Sequence, residues 1–301
     1  MRAVTIIAWL PIVLMPMAAL LFTPSHWPFW AFMWLFAWTI FAGCKWLTWW
    51  TASIMNRQRE QRYGKIHRHL GYLMAWPGLD AATFLFGPNP RVPLPSSWLF
   101  CLGKFSFGIV LIACVYPRLP PEREVLRGWI GMVGIIFVLH FGLFQLLSLA
   151  WQALGVSARP IMDWPVHAVS VSEFWGKRWN LAFRDLTHRF LFRPLATRFG
   201  GKTALVLGFL VSGIIHDLVI SLPAHGGWGR PTAYFLLQSV AILCERSAFG
   251  QRLALARGFH GWAFTMVVLV GPLPLLFHRP FVRNVVVPFL NAIVRQDSIL
   301  P

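Results

Sequence analysis

The chain is short of charge, and shortest of acid. Of its 301 residues only 10 are Asp or Glu, against 27 Lys or Arg, and charged side chains make up 12% of the whole. Soluble domains carry about 25%. That shortfall excludes an ordinary soluble globular protein. Cysteine is nearly as scarce: Cys44, Cys101, Cys114 and Cys244 are scattered, form no CxxC and have no clustered histidines. Neither a disulfide framework nor a metal site is indicated. Low-complexity tracts and internal repeats are absent too, so we read residues 1–301 as a single domain.

What the chain has in place of charge is apolar and aromatic mass: 57% hydrophobic residues, with 17 Trp and 26 Phe. Tryptophan is enriched at membrane–water interfaces. The expected fold is all-α, a multi-pass transmembrane helical bundle with re-entrant or interfacial helices. Seven spans are drawn, over 3–22, 28–50, 97–116, 128–150, 203–222, 232–248 and 260–277. The first carries one Arg and no evident small-residue cleavage site, so it reads as a span rather than a cleaved signal. Tyr72 to Pro95 is apolar but broken by Pro77, Pro88, Pro90, Pro93 and Pro95, and reads as re-entrant or interfacial. Asp80 is placed to cap a short helix over Ala81–Phe86.

The formal charge of +17 would raise nucleic acid as a partner for a soluble protein. In a membrane protein it reads as positive-inside bias and attraction to anionic lipid. Two basic loops follow spans two and four: 56–70, with Arg57, Arg59, Arg62, Lys65 and Arg68, and 157–202. Both fit a cytoplasmic side, with the N-terminus inside and the tail outside. The membrane expected is a bacterial inner membrane in preference to endoplasmic reticulum. A polyanionic substrate such as a coenzyme A ester would use the same positive charge.

Within the fifth span lies His216, in Val211-Ser-Gly-Ile-Ile-His216. An ionisable side chain at that depth is costly, by ~2.5 kcal/mol or more when charged, and faces a cavity or partner. A neutral imidazole is cheaper and can act as a general base. Ser212 and Gly213, one turn earlier, either pack against a neighbouring helix or leave a groove for an acyl chain. Asp217 lies about 100° around the helix, away from the imidazole. A competing intramembrane histidine, His140, has no companion motif and reads as a packing residue.

Upstream, Ser170-Val-Ser-Glu173 fits a capping box, and the helix it starts is expected to run to Phe192, before Pro194. Trp175, Trp179, Ala182, Phe183, Leu186 and Phe190 fall on one apolar stripe. Asn180 and Arg184 share another face, and Asp185 and Arg189 are spaced to pair. The basic side, with Lys177, Arg178 and Arg184, is either a solvated face at the membrane interface or a site that positions an acyl donor.

The pair Phe174-Trp-Gly-Lys-Arg-Trp-Asn180 and Val211-Ser-Gly-Ile-Ile-His216 resembles the plant-type wax synthase branch of the membrane-bound O-acyltransferase superfamily. That branch has FWG(R/K)(R/K)W(N/H) followed by a membrane-embedded SG-x-x-H. The resemblance is strongest over about 160–225. Trp76-Pro-Gly-Leu-Asp80 and the tail from Phe277-His-Arg-Pro-Phe281 to Leu290 agree with it more loosely. It implies acyl transfer from acyl-CoA to the hydroxyl of a lipophilic alcohol, giving a wax-type ester. It implies His216 as catalytic base and Asn180 as its polar partner. Trp175, Lys177, Arg178, Trp179, Arg184, Ser212 and Gly213 would then contact substrate. No cofactor beyond the acyl-CoA co-substrate is expected, and no nucleic acid. Rival readings are another acceptor (a sterol, diacylglycerol or glycan), a proton-coupled transporter using His216 and Asp217, and a noncatalytic lipid-binding protein. Acyl length and oligomeric state stay open.

Overall fold

The structure is a computed structural model that describes residues 2–55 and 66–294, with side chains from Ile7 onward. Arg57, Arg59, Arg62, Lys65 and Arg295 lie outside the described residues. The regular structure among the described residues is all helical, with no strand. In chain order we label α1 Arg2–Phe22, α2 Phe29–Met55, α3 Ile66–Ala75, α4 Ala81–Phe86, α5 Pro95–Arg118 and α6 Glu124–Ala153. Then come α7 Leu181–Thr187, α8 Arg193–Phe199, α9 Gly201–Ala224, α10 Arg230–Arg246 and α11 Gly258–Leu276.

Five of these, α2, α5, α6, α9 and α11, are long and apolar enough to cross a membrane. At about 1.5 Å per residue each covers most or all of a hydrocarbon core of ~30 Å. The first expected span is the apolar helix α1, described from Ile7. The sixth expected span is corrected. α10 has 17 residues, about 25 Å. It buries Tyr234, Phe235, Gln238, Ser239 and Glu245, with their polar atoms paired inside the protein. It is a core helix, and periodicity alone does not tell a buried helix from a short span.

The chain forms two compact units, one of residues 1–121, 129–161 and 292–301, the other of 122–128 and 162–291. In the first, α1 packs along α2 so closely that a Cβ on Gly43 would come within 2.7 Å of the Ile12 Cα. Asp80 caps α4 as expected, accepting from the Thr83 N–H at 3.1 Å. The Trp76–Asp80 element docks on α2 through Lys45, whose Nζ donates to the Gly78 carbonyl at 2.6 Å and sits 3.4 Å from the Tyr72 ring centre. Tyr72 in turn shares a hydrogen bond with Thr48 at 2.7 Å.

The second unit holds the paired motifs. Its core joins Val171, Ala241 and Ile242 with Trp175, Leu205, Phe209, Phe264 and Val268. The expected helix from Ser170 to Phe192 is broken. A short helix Val171–Glu173 runs into a π turn, Phe174–Arg178; Trp179 is extended and Asn180 is left-handed, at φ +43° and ψ +59°. Asparagine tolerates that conformation better than most residues. Helix then restarts as α7 and continues through a second π turn, His188–Phe192, into α8. Pro194 therefore does not end the helix. The wider turn ahead of it accommodates a residue that has no N–H and crowds the preceding turn. Gly200, at φ +81°, closes α8 and opens α9.

Candidate active site

His216 lies near the end of the α-helical part of α9, just before a π turn, Asp217–Ser221. Its Nδ1 is 2.7 Å from the Ser212 carbonyl. A carbonyl only accepts, so Nδ1 carries the proton and Nε2 keeps a free lone pair. The ring rests on Phe235 of α10, centres 4.4 Å apart. Phe235 also touches Trp175 at 5.6 Å, and Phe209 meets Trp175 edge-on at 5.8 Å. Trp175 is further held by its Nε1, which donates to Gln238 Oε1 at 3.4 Å. The first motif is thereby joined to the second through a wall of aromatic rings. One face of His216 is packed against Phe235, and Nε2 makes no hydrogen bond among the described residues.

The two small residues divide. Gly213 is buried against α10, where a Cβ would meet the Thr232 Cα at 2.6 Å, so it serves close helix packing and not a groove. Ser212 supplies the carbonyl that fixes the His216 tautomer. Gly208, one turn earlier, has nothing within 4 Å of where its Cβ would lie, which leaves room along α9 beside Phe209.

The basic motif is also split by its contacts. The Arg178 guanidinium binds Glu173 through Nε and Nη2, at 2.8 and 2.7 Å, and reaches the Asp163 and Trp164 carbonyls through Nη1. Burial pushes the Glu173 carboxyl upward, but the Val169 N–H and the charges of Arg178 and Lys177 outweigh it and hold the carboxyl below its ordinary value. Arg178 thus braces the loop, and Lys177 is the exposed cation of the pair. Glu173 is itself the far end of a cap: Ser170 Oγ accepts its N–H at 2.9 Å. Glu173 reaches back to Val169 and not to Ser170, so the expected box is displaced by one residue. Trp179 stacks on Phe174 at 5.5 Å, and Phe174 in turn meets Trp175 edge-on at 5.1 Å. Arg184 pairs with its neighbour Asp185 at 2.8 Å and is exposed. Lys177→Gln should raise the apparent KM for a coenzyme A ester several-fold and flatten its salt dependence. An unchanged KM and salt response would return Lys177 to a lipid-facing surface. Arg178→Gln should instead lower the yield of folded protein, since it unpairs Glu173 and two carbonyls.

Asn180 makes its backbone contacts with Met162 Sδ, at 3.3 Å, and with the Arg184 N–H, at 3.1 Å. Its side-chain amide makes no hydrogen bond to His216 among the described residues, so the two are not a preformed pair. The break at Asn180 also removes the face it was expected to share with Arg184 along a continuous helix.

The sequence reading missed what Asp217 and Glu245 do. Asp217 accepts four hydrogen bonds: Oδ1 from Ser221 Oγ at 2.8 Å and Gly229 N at 2.9 Å, Oδ2 from Thr232 N at 3.1 Å and from Thr232 Oγ. It caps the start of α10. Glu245, at the far end of α10, accepts from Val171 N and Ser172 N at 2.8 and 3.0 Å and caps the motif segment. One signal was available. Gly227-Trp-Gly-Arg-Pro231 opens a helix with no capping side chain of its own, so a cap had to come from elsewhere.

His140 lies in a π turn, Phe137–Leu143, in the first unit, edge-on to Phe144 at 5.3 Å. His140→Ala should lower the melting temperature while keeping turnover within tenfold. Folded but inactive protein would make His140 the better base. An open groove of about 460 Å³ in the same unit is lined by Ser96, Leu99, Phe100, Gly103, Lys104, Phe107 and Phe137, none of which belongs to the motifs. His216 does not line that groove.

Comparison with known proteins picks out the same stretch of the chain. Residues 158–237 match the model of the "Membrane bound O-acyl transferase family". The chain is 27% identical over 221 residues to "Probable long-chain-alcohol O-fatty-acyltransferase 9" of Arabidopsis thaliana, covering 66% of this chain and 64% of that one. It is 28% identical to the "Long-chain-alcohol O-fatty-acyltransferase" of Simmondsia chinensis, over 38% of this chain and 37% of the other. "Acetyltransferase eriL" of Hericium erinaceus is 30% identical over 36% of this chain and 32% of its own length. The chain thus spans just under two thirds of the first of these relatives and about a third of the other two. The matched segment contains both motifs and ends just past Phe235, and over it the chain is similar to the membrane-bound O-acyltransferase family and to long-chain-alcohol acyltransferases within it.

Proposed function

We propose that the chain is an integral membrane O-acyltransferase that moves an acyl group from acyl-CoA to a lipophilic alcohol, with His216 as general base and no further cofactor. The observation that carries the proposal is His216 itself: its tautomer is fixed through Ser212 and its Nε2 lone pair is left for a hydroxyl proton. The names of the relatives support the reaction class. In the step, Nε2 takes the hydroxyl proton as the alcohol oxygen attacks the thioester carbonyl. The carbon–sulfur bond then breaks, and the imidazolium returns its proton to the departing thiolate. General-base help of this kind contributes roughly 10²–10⁴-fold. Asn180, at its turn, donates to the developing oxyanion or steers the alcohol, and Lys177 meets the donor's phosphates.

A proton-coupled transporter would need Asp217 to exchange protons with His216. Its carboxylate is committed to four donors at the α10 cap, which argues for the enzyme. Detergent-purified protein given labelled acyl-CoA and an alcohol should consume the thioester without any sealed vesicle. Dependence on a vesicle and a proton gradient would favour the transporter. Acceptor panels containing long-chain alcohols, sterols, diacylglycerol and sugars, with acetyl and long-chain donors, fix the substrate. We expect the long-chain alcohols and donors to turn over fastest. The expected membrane is a bacterial inner membrane, and fractionation of a tagged bacterial host strain checks it.

A further inference from the structure

His278 lies just beyond α11, far from His216 in sequence, and is fully buried. Its Nδ1 accepts the Phe281 N–H at 3.2 Å, so the neutral ring carries its proton on Nε2. Nε2 is 3.1 Å from Ser221 Oγ, and Ser221 Oγ donates to Asp217 Oδ1 at 2.8 Å. The chain therefore runs one way: His278 Nε2–H to Ser221, Ser221 O–H to Asp217. Every member is buried. Asp217 then holds Gly229 and Thr232, the first turn of α10, and Phe235 follows one turn later against the His216 ring. The fit around His278 is tight: a Cβ on Gly227, which is at φ +80°, would come within 2.4 Å of the ring.

We propose that neutral His278 is a positioning residue for His216, acting through Ser221 and Asp217 to hold α10 and its Phe235 wall against the imidazole. The proposal rests on the reading of His216 as the base. A protonated ring would present a second N–H to the Phe281 N–H and break the arrangement. Burial and the nearby Arg230 push His278 below the ordinary imidazole value, opposed by Asp217. The neutral form is thus the resting one near pH 7. Because the unfolded chain still protonates at the ordinary value, falling pH costs stability in the window between about 6.5 and the lowered folded value.

Two variants separate positioning from simple capping. Gln at 278 can place an amide N–H where Nε2–H was, but it gives up the short-range cap of Phe281. Asn at 278 keeps the cap and loses the reach to Ser221. We expect His278→Gln to retain kcat within about threefold and to lose the acidic limb that His278 imposes on the pH profile. His278→Asn should fold but lose kcat by tenfold or more, with little change in KM. An activity-independent readout is carbethoxylation of the His216 ring. It should quicken several-fold in His278→Asn and match wild type in His278→Gln. The opposite order, Asn rescuing and Gln failing, would reduce His278 to a helix cap. Equal modification rates in all three proteins would overturn the proposal. If wild-type protein makes no ester while the modification rates still differ in the expected order, the reading of His216 as base fails and the positioning network stands.

Discussion

His216→Ala is expected to abolish ester formation while leaving a folded, membrane-inserted protein. The loss follows from removing the nitrogen proposed to take the hydroxyl proton, a contribution of roughly 10²–10⁴-fold. Folding should survive for local reasons. The hydrogen bond given up is made within the helix, to Ser212 four residues back, and alanine is the best helix former. The cost is the contact with Phe235, which a small fall in melting temperature should report. Activity within tenfold of wild type would remove His216 from the mechanism.

Asn180 carries the second large effect, and the left-handed turn changes how it has to be tested. Alanine at φ +43° costs on the order of 1–2 kcal/mol in backbone energy alone. An Asn180→Ala defect would therefore mix strain with lost chemistry. Asn180→Gly keeps the turn without strain and deletes only the amide. If the amide stabilises the transition state, both variants should lose one to three orders of magnitude in kcat, roughly the range for one preorganised hydrogen bond, with little change in KM for acyl-CoA. Full activity in Asn180→Gly beside a defective Asn180→Ala would make Asn180 a turn residue only. A defect confined to KM would make it a donor-binding residue.

Much of the fold was legible because hydropathy and length act locally. Six of the seven segments drawn as spans are apolar helices with nearly the expected bounds, and the Asp80 cap depended on a side chain three residues from its target. The failures are all cases where tertiary partners decide. α10 has only an apolar middle, and its Gln238 and Glu245 are satisfied across the unit, so its inner face is buried. Nothing local announces that Asn180 turns left-handed. The turn is anchored by Met162, 18 residues back, and by the Arg178 brace on Glu173. The π turns ahead of Pro194 and after His216 have no sequence period of their own. At the candidate site, the resemblance pointed to His216 and Trp175, and the structure joins them through Phe235. They could not show that Arg178 is committed to Glu173, that Gly213 is filled by Thr232, or that Asp217 serves α10. His278 was out of reach for the same reason: its partner Ser221 is 57 positions away.

The central claim, direct acyl transfer to an alcohol hydroxyl with His216 as base, is tested most directly by isotope. Purified protein is given acyl-CoA and a long-chain alcohol labelled with oxygen-18, and the products are weighed by mass spectrometry beside His216→Ala. The account predicts an ester that keeps the label in its single-bonded oxygen, one free coenzyme A per ester, and no ester from the variant. Free fatty acid in place of ester, an ester without the label, or equal yields from both proteins would contradict it.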